Sequence, residues 1–140
     1  MAFNPHTVFA KETAPPAPLH LGWELLDFDF DKGWIKVGFS PRPEFRNLSG
    51  HIQGGFISAM LDDTVGPAIL IKTRGEFMGP TIDLHTHFLS GLKLGPVTAE
   101  GRVTKLGKRV AFTEGQLFDV DGKLCARATS STLLIPLKHS

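Results

Sequence analysis

The sequence predicts an α+β domain in which one curved antiparallel β-sheet wraps around one long α-helix. The first observation is a stretch whose apolar residues recur at helical spacing, opening at Gly54 and Gly55 and reaching Ile69. The second is its surroundings, because two segments with strand-like alternation precede this stretch and four follow it. A helix with an apolar stripe must bury that stripe, and the predicted sheet is the only large surface available to it.

Composition indicates a globular protein and excludes several functional classes. The chain has 140 residues, of which 41% are hydrophobic and 21% charged, and its formal net charge is +1. These values argue against disorder, and the scattered basic residues give no reason to expect a nucleic-acid partner. No apolar run approaches the roughly 20 residues that span a bilayer, and no signal peptide is evident, so no membrane association is expected. Cys125 is the only cysteine, which favours a reducing cytoplasm.

The first half of the chain reads as an arm, a hairpin and the helix. Residues 1–20 contain four prolines and predict an extended N-terminal arm, whereas residues 21–140 are expected to form a single domain. Strands are predicted at residues 21–30 and at residues 34–39, joined by a turn. Pro67 should kink the helix or end its regular part, because it lacks a backbone donor.

The second half reads as four consecutive strands. They are predicted at residues 81–89, 97–106, 110–120 and 124–134, with tight turns at Gly107-Lys108 and Asp121-Gly122. The resulting order is two strands, one helix and a four-stranded antiparallel meander.

The densest group of functional residue types lies where the loop meets the helix. Gly54 and Gly55 would open the helix, so their N–H groups lack intrahelical acceptors and suit an oxygen that becomes negative. Gln53 adds an amide donor beside them. Asp62 lies about two turns further on, on a helix line with Ser58 and Gly66 that avoids the apolar stripe. A purely structural explanation also fits, because a tight turn followed by a helix cap requires the same glycines and polar side chains.

These residues resemble a known family. The pattern Asn-x-x-Gly-x-x-His-Gly-Gly, with an acidic residue nine positions after the His, is that of the PaaI-like (phenylacetic acid degradation type) hotdog-fold acyl-CoA thioesterases. The chain carries it, with one departure, at Asn47, Gly50, Gln53, Gly54, Gly55 and Asp62. The resemblance covers roughly residues 20 to 136, and the order of elements agrees with it. It implies the hotdog fold.

The resemblance also implies an activity and assigns roles. It implies hydrolysis of an acyl-CoA thioester, with Asp62 as general base on water or as nucleophile. The Gly54 N–H would stabilise the oxyanion, Asn47 and Gln53 would orient water or the carbonyl, and the Thr81 hydroxyl would lie near the attacking water.

Further expectations concern the rest of the substrate and the assembly. Gly55 and His51 are expected to contact substrate, and Lys108 with Arg109 to hold the phosphates of coenzyme A. No metal and no cofactor are expected, since coenzyme A is part of the substrate. The resemblance implies a homodimer or homotetramer whose active site is shared between protomers.

The departure from the family pattern leaves alternatives open. Gln53 replaces the usual histidine, and glutamine can donate a hydrogen bond but cannot exchange protons near neutral pH. A non-catalytic acyl-CoA-binding or scaffold module is therefore the alternative function, with a hotdog dehydratase ranked last. Asp63, 100° further round the helix, is the competitor of Asp62. The acyl group is not predicted.

One other cluster invites a metal interpretation. Asp83, His85 and His87 alternate on one strand and so share a face. This spacing could bind a transition metal, but a polar, interface-facing strand is favoured.

Overall fold

The computed structural model describes residues 2–137. In chain order its elements are α1 (Pro5–Val8), a 3-10 turn (Lys11–Thr13), α2 (Pro16–Leu21), β1 (Glu24–Asp29), β2 (Trp34–Phe39), a 3-10 turn (Pro43–Phe45), α3 (Gly54–Lys72), β3 (Phe77–Met78), β4 (Thr81–Phe88), β5 (Val97–Leu106), β6 (Val110–Phe118), β7 (Leu124–Leu133) and β8 (Ile135–Pro136).

The main sheet has six strands and is antiparallel throughout. Its order is β1-β2-β5-β6-β7-β4, so β1 and β4 are the two edges. β3 and β8 form a separate two-stranded pair. One face of the large sheet packs against α3, and the core between them is apolar, as in Ile35, Val37, Met60, Leu61 and Leu117. The predicted architecture and its six strands are confirmed, with ends shifted by a few residues.

The helix continues through Pro67 to Lys72 and does not end at the proline. Pro67 has no N–H to donate to the carbonyl of Asp63, four residues earlier. The indole Nε1–H of Trp23 donates to that carbonyl instead, at 2.6 Å. A side chain from the start of the domain thus satisfies the backbone acceptor that the proline leaves free.

The composition of α3 departs from one expectation. By length and composition alone this helix could cross a membrane, although no such run was expected from the sequence. In the fold, half of it is buried against the rest of the domain. The helix therefore has the packing of a core helix.

Two glycines let the helix approach the centre of the sheet closely. Gly101 in β5 pairs directly with Gly115 in β6. A Cβ atom at Gly101 would lie 2.9 Å from the carbonyl oxygen of Thr64, and one at Gly115 would lie 2.9 Å from Val65 Cγ1. Any side chain at these positions would collide with α3, so the missing side chains set how near the helix lies.

Residues 1–20 are not the extended arm that the sequence predicts. Their prolines start helices instead, because a proline at the first helical position has a suitable φ and no N–H that needs an acceptor. Asn4 Oδ1 caps α1 by accepting from the N–H of His6 at 3.0 Å, and Gly22 ends α2 with φ 72°. Aromatic contacts stabilise the packing of these residues, as in the pair of Phe9 and Trp23, whose ring centroids lie 5.1 Å apart. We call residues 2–23 the N-terminal segment.

Candidate active site

The polar side of α3 faces the edge strand β4. Ser58 Oγ lies 3.0 Å from Thr86 Oγ1, and one turn later Asp62 Oδ1 accepts a hydrogen bond from Thr81 Oγ1 at 2.8 Å. At the start of the helix, a Cβ on Gly54 would lie 3.1 Å from the ring of Phe88. The residues predicted to avoid the apolar stripe are therefore those that line the groove between the helix and this edge.

A β-bulge aims the Thr81 side chain at the helix. Thr81 pairs with Thr132 and Asp83 pairs with Ser131, so Ile82 is an extra residue without a partner. In a regular strand Thr81 and Asp83 would point to the same face, which is the face away from α3. The bulge turns Thr81 to the opposite face, where its hydroxyl reaches Asp62.

The N-terminus of α3 is open to a ligand. Gln53 is the N-cap residue, and its exposed side chain makes no capping bond. Its backbone N–H donates to the carbonyl of Phe45 at 2.9 Å, which fixes the entry into the helix. Within residues 2–137 the N–H groups of Gly54 and Gly55 have no hydrogen-bond acceptor, and a Cβ on Gly55 would meet no atom within 4 Å.

The loop before the helix is organised by Asn47. Its Oδ1 accepts from Ser49 N at 3.0 Å, Ser49 Oγ at 2.8 Å and His51 N at 3.2 Å. Because the Ser49 hydroxyl proton is directed to Asn47, the 3.1 Å contact between Ser49 Oγ and His51 Nδ1 requires the ring nitrogen to donate. The Asn47 oxygen is thus fully used within the loop, and only its amide nitrogen remains for a ligand.

A cavity of about 460 Å³ opens beside the Asp62–Thr81 pair. Asp62, Asp63 and Thr81 line part of it, and another part of its wall comes from the N-terminal segment, which includes Phe9 and Trp23. This wall could not be predicted from the sequence, because nothing in a proline-rich stretch indicates which surface it covers.

Asp63 has an unusual environment within this cavity. Burial, reinforced by the neighbouring Asp62 carboxylate, raises the pKa of the Asp63 carboxyl from its usual 3.8 to about 6. Its backbone carbonyl is bonded to Trp23, but no hydrogen bond or ion pair reaches its carboxylate from any residue between 2 and 137. Asp63 is therefore a partly desolvated acceptor that faces mainly apolar side chains.

The helix N-terminus and Asp62 lie too far apart to share a carbonyl group within one chain. Gly54 and Asp62 are eight residues apart, which corresponds to about 12 Å along a helix axis. An oxyanion donor must lie about 3 Å from the oxygen that it stabilises. One thioester therefore cannot contact both groups of the same helix.

Lys108 and Arg109 lie exposed in the turn between β5 and β6. The Arg109 carbonyl accepts from Leu134 N at 2.7 Å, and the adjacent Leu133 N donates to the carbonyl of Pro80 at 3.0 Å. The turn is therefore at the end of the sheet where Thr81 begins β4. The N-terminus of α3, beside Phe88, is at the other end of that strand.

The side chains considered above as a metal site make other contacts. Asp83 Oδ1 accepts from the N–H of Ser131 at 2.9 Å, and the exposed rings of His85 and His87 lie 4.6 Å apart. Across the described part of the chain, no three His, Cys, Asp or Glu side chains are grouped closely enough to hold a metal ion. Cys125 is a buried free cysteine and packs as a small apolar residue.

Known proteins match this chain over most of its length. Residues 49–126 match the family model of the thioesterase superfamily. A protein of Saccharolobus solfataricus, named as a presumed esterase, is 34% identical over 111 residues, which cover 79% of this chain and 78% of that protein. Human acyl-coenzyme A thioesterase 13 is 33% identical over 86 residues, which cover 60% of this chain and 61% of that protein.

A solved structure extends the similarity to the fold. The phenylacetic acid degradation-related protein of Ralstonia eutropha superposes with a TM-score of 0.84 at 26% identity, covering 91% of this chain and 96% of that one. Together with the family match, it confirms the predicted hotdog fold and the resemblance to thioesterases of this type.

Proposed function

The chain belongs to the thioesterase superfamily, and on that premise we propose that it hydrolyses the thioester of an acyl-coenzyme A to a free acid and a thiol. The observation that carries the proposal is the hydrogen-bonded pair of Asp62 and Thr81 in the wall of a cavity. A coenzyme A thioester is the substrate that the name of the human relative indicates.

In the proposed reaction Asp62 acts as general base. One of its oxygens is held by Thr81, and the other is left to accept a proton from water. The water oxygen bonds to the thioester carbon while its proton passes to Asp62. Direct attack by the carboxylate, which would form a mixed anhydride that water then cleaves, is the other route open to the same group.

The developing negative charge on the carbonyl oxygen needs a donor. The free N–H of Gly54 and the exposed amide of Gln53 supply donors at the N-terminus of a helix, where the helix dipole also favours negative charge. Collapse of the tetrahedral intermediate breaks the carbon–sulfur bond. The sulfur takes the proton that Asp62 accepted from water and leaves as a thiol, which restores the Asp62 carboxylate.

The proposed site requires two copies of the chain. Because about 12 Å separates Gly54 from Asp62 along one helix, the oxyanion donor of one protomer would act with the carboxylate of its partner. β4 is an edge strand with exposed Ile82 and Phe88, so it offers a surface for such a partner. We therefore propose a homodimer as the minimum unit, with a tetramer as a further assembly.

The decisive experiment measures release of free thiol from a panel of acyl-CoA esters. Hydrolysis of at least one ester by the parent protein, with loss of hydrolysis in Asp62→Asn, is the expected result. A parent protein that binds esters without releasing thiol would overturn the proposal.

Gln53 favours one alternative function. Glutamine at this position can donate hydrogen bonds but cannot exchange protons near neutral pH. A non-catalytic module that binds acyl-CoA would have the same donors. Binding without turnover in the ester panel would support that alternative.

A further inference from the structure

We propose that the cavity between the N-terminal segment and α3 holds the acyl group of the substrate, and that Asp63 selects acyl groups that carry a hydrogen-bond donor. This inference rests on the proposed thioester hydrolysis and names the substrate class for the same site.

The position of the cavity is the first step. Asp62 and Thr81 both line it, so a thioester carbonyl placed for water attack beside Asp62 lies against its wall. The acyl chain must extend away from that carbonyl into the space that remains. A volume of about 460 Å³ lies within the range of small-molecule pockets.

The wall that the N-terminal segment supplies is fixed in place. Phe9 packs against Trp23 with ring centroids 5.1 Å apart, and Trp23 is tied to α3 through its bond to the Asp63 carbonyl. Phe3 adds a second anchor, since its ring packs 6.3 Å from that of Phe30. The N-terminal segment therefore forms a fixed part of the pocket wall and limits the size of the acyl group.

Asp63 supplies the selectivity. Its carboxylate faces this largely apolar cavity, and between residues 2 and 137 it has no hydrogen-bond donor of its own. A ligand with a hydroxyl group at the right depth would satisfy it, whereas an all-carbon ligand would cover it and leave it unpaired. Because a buried unpaired acceptor is costly, the site should reject the all-carbon ligand.

The test compares matched pairs of substrates. Each pair is an acyl-CoA with a terminal hydroxyl and the acyl-CoA of equal length with a terminal methyl, over a series of chain lengths. We expect the parent to favour the hydroxyl ester by at least about ten-fold in kcat/KM at one chain length. Asp63→Leu should reverse this preference, and Asp63→Asn, which keeps an acceptor, should reduce it without reversing it.

A second variant tests the wall separately. Phe9→Ala should shift the preferred chain length upward, because it enlarges the pocket. It should leave the hydroxyl-to-methyl ratio of kcat/KM nearly unchanged, because the Asp63 side chain is retained. Thermal melts check that each variant folds, and the Asn variant keeps the test valid if the Leu variant does not fold.

The outcomes separate the two proposals. A parent that hydrolyses none of the esters contradicts the proposed function. If the parent hydrolyses the esters, and Asp63→Leu and Asp63→Asn show the same hydroxyl-to-methyl ratio of kcat/KM as the parent, then Asp63 does not select the acyl group. The thioesterase function stands in that case. An unchanged length preference in Phe9→Ala removes the N-terminal segment from the pocket.

Discussion

The Thr81 hydroxyl donates a 2.8 Å hydrogen bond to Asp62 Oδ1, which joins an edge strand to the central helix. The bond exists because the unpaired residue Ile82 turns Thr81 inward. It fixes one carboxylate oxygen of Asp62 and so directs the other. The orientation of the proposed base thus depends on a backbone irregularity in β4.

Removing this hydroxyl should misplace the carboxylate. Thr81→Val keeps the shape of the side chain but not the hydrogen bond, so we expect kcat to fall by about 10- to 100-fold, the loss typical of a bond to a charged group. Thr81→Ser is the matched control, since it keeps the hydroxyl, and it should retain most of the activity. Equal activity in the Val and Ser variants would show that the bond has no part in catalysis.

Asp62 and Asp63 should respond differently to loss of charge. Asp62→Asn keeps the shape but removes the base, so thiol release should fall by roughly 100-fold or more while binding of the ester persists. Asp63→Asn should be mild on methyl-terminated esters. Paired steady-state kinetics and ester-binding measurements decide between them. If Asp63→Asn is inactive and Asp62→Asn is not, the base is Asp63.

Gln53 should act as a donor and not as an acid or base. Gln53→Ala should lower kcat by roughly 100-fold or less, the usual cost of one oxyanion donor. Gln53→His should remain active, because histidine also places a donor at this point. A folded but inactive His variant would contradict this equivalence.

The proposed shared site predicts complementation between two inactive variants. Gly54→Pro removes one N–H at the first helical position, where proline is accommodated, and the ψ of 142° at Gln53 suits a following proline. Gly54→Ala is its control, since it adds a Cβ but keeps the N–H. Mixed dimers of Gly54→Pro and Asp62→Asn should recover about a quarter of the parent activity, because half of the dimers regain one of two sites.

Light scattering supplies the companion measurement for assembly. We expect a dimer or a larger species at micromolar concentration. A monomer under those conditions, or a mixture of the two variants that stays inactive, would contradict the shared site.

Stability should depend on pH through Asp63. Folding raises the pKa of this carboxyl from 3.8 to about 6, so between these values the folded state binds more protons than the unfolded state. The stability contributed by this group therefore falls as pH rises through that window. Asp62 is the other titratable group that lines the cavity. Melts of Asp63→Asn and the parent should show a Tm advantage for the variant that is larger at about pH 7 than at about pH 4.

Much of the fold could be predicted because its signals are local. Alternation gave the six strands, and the apolar spacing gave a helix that begins at Gly54. The line of Ser58 and Asp62 followed from helix geometry alone. These features depend on residues that are close in sequence.

The features that could not be predicted depend on distant contacts. The helix passes Pro67 because Trp23, far away in sequence, donates to the carbonyl that the proline leaves free. The bulge at Ile82 appears only when β4 is paired with β7. The surroundings of Asp63 depend likewise on where the N-terminal segment packs. The local sequence pattern therefore distinguishes Asp62 from Asp63 only by position along the helix, and not by burial.

The position of Asp62 depends on two glycines in the middle of the sheet, Gly101 and Gly115. A methyl group added at either position would act as a wedge beneath α3, since it would meet Thr64 or Val65 at 2.9 Å. The helix would have to lift away from the sheet. Asp62 would be carried away from Thr81 although neither residue had changed. Substitutions in the middle of the sheet would therefore abolish the proposed hydrolysis while every residue of the proposed site was preserved.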